Sequence, residues 1–224
     1  MLTGNVLHQV ELRVAPPGCY WHVFPYKYEP RASNLNSMAR LAWRDGEHGM
    51  FYTGGTPAAA LWETVLRYAA INQDVVSTSH QHLQGMALAQ LTLRDPVPAL
   101  DLRPPFRRGL VEAGSSLDLF WDQVLKEPDH EKTHSVTNVV MQQLRSAGYP
   151  DGAALIWYSR QAGSETATLF FEPPMQSPWW DVEEIHFLDT TAGQNVIAGA
   201  LGEQGLVWRG AALGDEFEPP VWVD

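Results

Sequence analysis

The sequence predicts a mixed domain of the α/β or α+β class, in which short strands are interspersed with helices. Its 224 residues suit one large domain with a sizeable core of its own. Hydrophobic residues make up 45% and charged residues 18% of the chain, which is typical of soluble globular proteins. Apolar runs punctuated by Gly and Pro alternate with segments that begin at helix caps, and this order predicts the class.

Strands are predicted where short apolar runs lie between turn residues. These runs cover 19–24, 50–52, 86–93, 153–158, 167–171, 184–188 and 206–208. The clearest helix begins after Thr56, a good N-cap, and continues without a helix-breaking residue to about Ile71. Two further helices are predicted over 117–126 and 135–147.

The charge of the chain restricts its partners. The formal net charge is −11, and the small basic cluster Arg107-Arg108 cannot build the basic face of a nucleic-acid-binding protein. We therefore expect no direct nucleic-acid partner. The acidity suits a basic protein partner, although acidic surfaces more often serve solubility alone.

Cysteine usage and hydropathy indicate the compartment. The single Cys19 excludes an internal disulfide and a cysteine-based zinc site. Residues 1–14 lack the basic and apolar regions of a signal peptide, and no run approaches the roughly 20 apolar residues that span a membrane. We therefore expect a cytoplasmic protein without a membrane-bound part.

Glu63 has an unusual position in the first predicted helix. Its neighbours three and four residues away include Ala59, Ala60 and Leu66, so it points near an apolar face, where a carboxylate needs a partner or a function. The alternative is a surface ion pair with Arg67, four residues further along the helix. The pattern by itself favours the ion pair.

Residues 130–134 match HExxH, the motif in which two histidines one helical turn apart bind zinc and the glutamate acts as a base. A zinc peptidase using His130, Glu131 and His134 is thus one candidate function. The polar residues just upstream instead favour a loop that leads into a helix start. Gly54-Gly55 before the first helix could bind an anion through backbone N–H groups, or could form a tight turn.

Four segments together resemble the RES domain, a family of bacterial toxins named after an Arg, a Glu and a Ser. The most specific is FYTGGTPAAALWETVLR (51–67), with eleven residues from Tyr52 to Glu63, and YPDGAALIWYSR (149–160) places Ser159 at the family serine. The segment 36–42 resembles the family's arginine segment. The segment 21–28 is similar to the opening strand, but His22 and Lys27 stand where arginines are expected. The family arginine is assigned to Arg40, with Arg44 as the competing position.

The resemblance covers about residues 20–172 and implies one domain over 1–224, with 173–224 as its C-terminal extension. It implies an ADP-ribosyltransferase-like fold with a mixed, mostly antiparallel sheet and flanking helices. The implied activity is cleavage of the nicotinamide–ribose bond of NAD⁺ by hydrolysis or phosphorolysis, with NAD⁺ as substrate and no other cofactor and no metal. The implied partner is a helix-turn-helix, Xre-like antitoxin, and formation of a homo-oligomer stays open.

The resemblance assigns catalytic roles to Glu63, Arg40 and Ser159. The Glu63 carboxylate would stabilise an oxocarbenium-like ribose or bind a ribose hydroxyl. Arg40 would bind phosphate oxygens with its planar guanidinium, and Ser159 would donate to the substrate. All three would share one cleft with Tyr52.

Four further residues are expected to bind substrate: Tyr28, Tyr52, Lys27 and Arg160. The two tyrosines would stack on nicotinamide or bind the ribose. Transfer of ADP-ribose to a macromolecule is an alternative on the same fold. A non-catalytic RES-like module is another, because His22 and Lys27 depart from the family pattern.

Overall fold

An eight-stranded sheet forms the centre of the protein in the computed structural model, which describes residues 5–210. Its strands, in spatial order, are β1 (Arg13–Ala15), β7 (Val97–Asp101), β8 (Ala154–Tyr158), β9 (Thr166–Glu172), β3 (Gly49–Gly54), β2 (Gly18–Pro25), β6 (Met86–Leu93) and β10 (Trp180–Phe187). Neighbouring strands are antiparallel except β7 and β8, which are parallel. The predicted mixed and mostly antiparallel sheet is confirmed.

A second, small sheet contains β11 (Val207–Trp208), β5 (Val75–Ser77) and β4 (Ala70–Asn72) in that spatial order. The helices that flank the sheets are α1 (Pro57–Glu63), α2 (His80–Leu83), α3 (Pro104–Arg107), α4 (Ser116–Lys126), α5 (Glu131–Ser146) and α6 (Thr191–Gly202). No helix within residues 5–210 is long and apolar enough to cross a membrane.

The buried apolar residues form three clusters around the large sheet. One includes Trp121 of α4 and Met141 of α5 together with Leu169 of β9. The second joins α1 and α6, and the third contains Phe51 and Trp180. Helices therefore pack against the sheet in separate places, and the ends of α1 and α5 are held by different parts of the core.

The first helix ends earlier than predicted. The interpretation that it continues to Ile71 is wrong, because α1 ends at Glu63. The Thr64 hydroxyl donates to the Ala60 carbonyl at 2.6 Å, which occupies the acceptor that the next helical N–H would use. The chain then turns and enters β4, which pairs with β5. Glu63 is thus the last residue of the helix rather than an interior one.

The helix α5 begins earlier than predicted. It begins at Glu131 instead of residue 135, with His130 at the N-cap position. Asp129 accepts from the Glu131 N–H at 3.2 Å and supports this earlier start. His130 therefore lies at the N-terminal end of a sixteen-residue helix.

Glycines allow α1 to approach β3 closely. A Cβ at Gly54 would lie 2.4 Å from the Ala60 nitrogen, and a Cβ at Gly55 would lie 2.4 Å from the Thr166 hydroxyl oxygen. Close packing therefore accounts for Gly54-Gly55, and the Gly55 N–H already donates to the Thr166 carbonyl at 2.9 Å. The same packing fixes the position of Glu63 at the far end of α1.

Candidate active site

A cavity of about 380 Å³ opens beside the junction of β2 and β3. These strands pair at a single position, where Trp21 lies opposite Gly54. Other residues of both strands line the cavity. The loop between them, the end of α1 and the start of α5 complete the wall. The titratable side chains that line it are those of His22, Tyr28, Glu29, Arg40, Tyr52, Glu63 and His130.

Glu63 places one carboxylate oxygen against the protein. Its Oε1 accepts from the Ser159 hydroxyl at 2.6 Å and from the Arg160 N–H at 3.1 Å. Arg67, the alternative partner, directs its guanidinium to His130 instead. Within residues 5–210, the hydrogen bonds of Glu63 all involve Oε1, so Oε2 can accept a bond from a ligand in the cavity.

Ser159 orients Glu63. The serine is 2% exposed, and its hydroxyl accepts from the Ala162 N–H at 3.1 Å while it donates to Glu63. A hydroxyl has one proton, which is directed at Glu63 and not at a ligand. The geometry thus gives Ser159 a positioning role, which differs from the expected donation to substrate.

Arg40 is a buried cation in the cavity wall. It is 3% exposed, its Nη1 donates to the Val124 carbonyl at 3.1 Å, and its Nε has no partner. Burial lowers the pKa of the guanidinium, and the nearby Glu63 opposes this effect. Arg44 is exposed and donates to the Ser37 carbonyl at 3.1 Å, and it does not line the cavity. Of the two competing arginines, the structure places Arg40 beside Glu63.

Tyr52 connects the strands to the arginine loop. Its hydroxyl donates to the Arg40 carbonyl at 2.9 Å, and its own carbonyl accepts from His22 Nδ1 at 2.6 Å. Burial raises the pKa of the Tyr52 hydroxyl. The hydroxyl is therefore engaged with the backbone that carries Arg40, and only the ring of Tyr52 is available to a ligand.

Tyr28 and Lys27 lie at different distances from the cavity interior. Tyr28 lines the cavity and is 55% exposed, so its ring forms part of the rim. The Lys27 ammonium lies 5.0 Å from the centre of this ring and does not line the cavity. Arg160 contributes its backbone N–H to Glu63, while its side chain is exposed.

His22 and His130 line the cavity, although neither was predicted to bind substrate. Burial lowers the pKa of His22 to about 4. Burial and then the nearby Arg40 and Arg67 lower the pKa of His130 to about 3. Both imidazoles are therefore uncharged near neutral pH and can accept a hydrogen bond. The HExxH match drew attention to His130, but for a different chemistry.

The alternative metal site at HExxH does not form in the described part of the chain. The His130 imidazole faces Arg67, and His134 Nε2 donates to the Ala39 carbonyl at 3.0 Å. Within the described part of the chain, the one group with metal-ligand spacing is Asp45, Glu47 and His48. The Asp45 carboxylate is already bonded to the His48 ring at 2.7 Å and to two backbone N–H groups. The zinc peptidase alternative thus lacks its ligand set.

The chain is similar to known proteins in both sequence and fold. The sequence model of the RES domain matches residues 12–184. No curated protein sequence matches the chain significantly. One chain of the crystal structure of the M. tuberculosis MbcT–MbcA toxin–antitoxin complex has a similar fold, with a TM-score of 0.52 and 13% identity over 78% of this chain and 86% of that one. At this identity the likeness concerns the fold.

Proposed function

The chain belongs to the RES-domain family, and on this basis we propose that it is the toxin of a toxin–antitoxin pair and degrades NAD⁺ by cleaving the nicotinamide–ribose bond. The observation that carries the proposal is the carboxylate of Glu63. One of its oxygens is fixed by Ser159 and Arg160, and the other remains available in a cavity that Arg40 also lines.

The reaction needs few groups from the protein. When the bond between the nicotinamide nitrogen and ribose C1′ breaks, its electron pair leaves with nicotinamide, which becomes neutral and needs no general acid. The ribose becomes an oxocarbenium-like cation, which the fixed carboxylate of Glu63 stabilises. A water oxygen then bonds to C1′ and releases a proton, or a phosphate oxygen bonds in its place.

The cavity suits a substrate of this kind. Its volume of about 380 Å³ lies within the usual range for small-molecule sites, and its open end carries the Tyr28 ring. Aromatic faces stack on planar rings such as nicotinamide or adenine. Arg40 brings a guanidinium that binds phosphate oxygens in a planar, forked geometry.

The proposed partner is a helix-turn-helix antitoxin. The structural neighbour comes from a toxin–antitoxin complex, and the net charge of −11 suits a partner with a basic surface. The exposed apolar residues Leu35 and Met38 lie on the loop that forms part of the cavity wall. A partner that binds this loop would also restrict access to the cavity.

The experiment measures nicotinamide release from NAD⁺ by the purified protein, with water alone and with added phosphate. Glu63→Gln keeps the size of the side chain but removes its charge, so the rate should fall by about 100-fold or more. Glu203→Gln, an exposed position after α6, is the matched control and should keep wild-type activity.

Two outcomes would count against the proposal. Absence of nicotinamide release under both conditions would contradict NAD⁺ degradation, and full activity of Glu63→Gln would contradict the site. Incubation of the protein with labelled NAD⁺ and a cell extract tests the alternative function, because label retained on a macromolecule would indicate ADP-ribosyl transfer.

A further inference from the structure

The cavity follows β3 along its length. This strand has six residues, which extend over about 17 Å. Met50 near the start of β3 and Thr53 near its end both line the cavity. A ligand that fills the cavity therefore meets different side chains at its two ends.

Glu63 lies at the end of the cavity where β3 ends. The Ser159 N–H donates to the Glu165 carbonyl at 2.7 Å. The N–H of Gly55, the residue after β3, donates to the carbonyl of the next residue, Thr166, at 2.9 Å. Ser159 and its hydrogen-bond partner Glu63 are therefore level with the C-terminal end of β3. The ribose whose bond is cleaved is expected at this end.

Glu29 lies at the opposite end of the cavity, where β3 begins. It belongs to the loop that follows Pro25, the last residue of β2. Because β2 and β3 are antiparallel, the end of β2 lies beside the start of β3. Further along this loop, the Asn34 N–H donates to the Met50 carbonyl at 2.9 Å. Glu29 and Glu63 thus line the two ends of one cavity.

The Glu29 carboxylate is held in place and can still accept a hydrogen bond from a ligand. Its Oε1 accepts from Arg31 Nε at 2.6 Å, and its Oε2 accepts from the Arg31 backbone N–H at 2.9 Å. A carboxylate has about four acceptor positions, so each oxygen has room for a further donor. The side chain of Glu29 is 32% exposed and lines the cavity, whereas Arg31 does not line it.

The charges of the cavity wall do not favour an additional anionic group at this end. Within residues 5–210, the charged side chains of the lining are Glu29, Glu63 and Arg40, which together carry a formal charge of −1. Burial has the largest effect on the pKa of Arg40 and Glu63 the next largest, so this cation lies near Glu63. The Lys27 ammonium lies 5.0 Å from the centre of the Tyr28 ring, outside the lining.

We propose that Glu29 makes the site selective for a dinucleotide whose adenosine 2′-hydroxyl is free, so that the protein acts on NAD⁺ and discriminates against NADP⁺. The inference rests on the proposed function for the class of ligand. With the nicotinamide ribose at Glu63, the adenosine lies towards Tyr28 and Glu29, and the carboxylate accepts a hydrogen bond from the 2′-hydroxyl. Acidic residues recognise this hydroxyl in other dinucleotide sites.

Discrimination follows from charge. A 2′-phosphate adds a charge of about −1.5 to −2 at neutral pH. In the place of the 2′-hydroxyl it would lie against the Glu29 carboxylate, and like charges in contact reduce affinity strongly. The same carboxylate therefore binds one dinucleotide and repels the other.

The test measures binding by calorimetry with the full-length protein, using ADP-ribose and ADP-ribose 2′-phosphate as separate probes. The wild type should bind ADP-ribose at least about 100-fold more tightly than the 2′-phosphate. Glu29→Gln keeps the size of the side chain and an acceptor but removes the charge. It should bind the 2′-phosphate about 10-fold more tightly than the wild type does. A loss of structure could not produce this gain.

Glu203→Gln, at an exposed position after α6, is the matched control and should leave both affinities unchanged. Equal affinity of the wild type for the two probes would overturn the proposal, and so would tighter binding of the 2′-phosphate, which would mean that Lys27 or Arg31 determines the preference. An unchanged affinity of Glu29→Gln for the 2′-phosphate would overturn the role of Glu29.

A double-mutant cycle separates Glu29 from its partner Arg31. In an Arg31→Gln background, Glu29→Gln should still strengthen binding of the 2′-phosphate, because the repelling charge is removed in both backgrounds. If the gain disappears in this background, the released Arg31 guanidinium binds the phosphate, and the role of Glu29 is overturned.

Nicotinamide release from NAD⁺ and NADP⁺ distinguishes this proposal from the proposed function. The ratio of the two kcat/KM values should favour NAD⁺ in the wild type and should fall in Glu29→Gln. Equal release from both dinucleotides would overturn the selectivity while the proposed function stands. If the wild type releases no nicotinamide but Glu29 still separates the two probes, the proposed function fails while the selectivity stands. Absence of binding of either probe would overturn the proposal.

Discussion

Uncharged histidines give the cavity hydrogen-bonding groups without adding charge. His22 packs against Phe51, with ring centroids 4.2 Å apart and the rings tilted by 33°, and its Nδ1 donates to the Tyr52 carbonyl at 2.6 Å. This contact joins β2 to β3 beside their single registered pair. His22 thus stabilises the cavity wall through Tyr52, which in turn donates to the Arg40 carbonyl.

His22 makes the stability of the protein depend on pH. Its pKa is lowered from 6.5 to about 4 on folding, so the unfolded chain binds more protons between these two values. The free energy of unfolding should therefore fall as the pH falls from about 7 to 4, by up to about 3 kcal/mol from this residue. Urea unfolding at pH 7 and pH 5 measures the effect.

His22→Gln is the matching variant, because it keeps a donor for the Tyr52 carbonyl but does not titrate. Its free energy of unfolding should lose less between pH 7 and pH 5 than the wild type does. An equal loss in both proteins would mean that other groups cause the acid sensitivity.

Residue identity alone did not predict the contacts of the site. The resemblance to the family predicted that Glu63 belongs to the site. Its neighbours on the predicted helix instead favoured a surface ion pair with Arg67. The partner of Arg67 is His130, sixty-three positions away in the sequence. No local pattern indicates such a pair, since it forms only when the end of α1 meets the start of α5.

At the level of elements, the short helix α1 positions Glu63. The helix begins directly after β3, and its first turn packs against Gly54. Gly54→Ala would place a methyl group against the Ala60 backbone, which is rigid in the helix. We expect a loss of stability of about 3 kcal/mol, measured by urea unfolding. The displaced helix should also reduce nicotinamide release, because it carries Glu63.

Gly199→Ala in α6 is the control for this substitution. A Cβ at Gly199 meets no atom within 4 Å, so alanine should increase stability by about 1 kcal/mol through its higher helix propensity. If Gly54→Ala were as stable as the wild type, the close approach of α1 to β3 would not determine the position of α1.

The strands could be predicted from the sequence where the apolar run is long and lies between turn residues. The runs at 86–93 and 153–158 are strands β6 and β8. The strand β7 was missed, because Pro98 argues against a strand and the segment has five residues. The end of α1 was also missed, since AAALWETVLRYAAI contains no Gly or Pro, and pairing of β4 with β5 decides the conformation after Glu63.

At the scale of the whole molecule, the cavity lies where separate parts of the core meet. Its walls come from α1, from β2 and β3 with Phe24 and Met50, and from the start of α5 at His130. Ala60, Phe24 and Met50 belong to three different apolar clusters. A ligand that contacts all of these walls connects the clusters and should stabilise the protein as a unit.

Ligand binding should therefore raise the melting temperature. At a free ADP-ribose concentration of about 100 times its Kd, the folded state gains about 2.7 kcal/mol, which corresponds to about 5–10 °C for a chain of this size. Differential scanning calorimetry measures the shift. In Arg40→Gln, which removes the guanidinium from the cavity wall, an affinity about 10-fold weaker would leave the same concentration at about 10 times the Kd, so the shift should be about half as large. A shift of equal size in both proteins would show that the Arg40 guanidinium does not contribute to the binding of ADP-ribose.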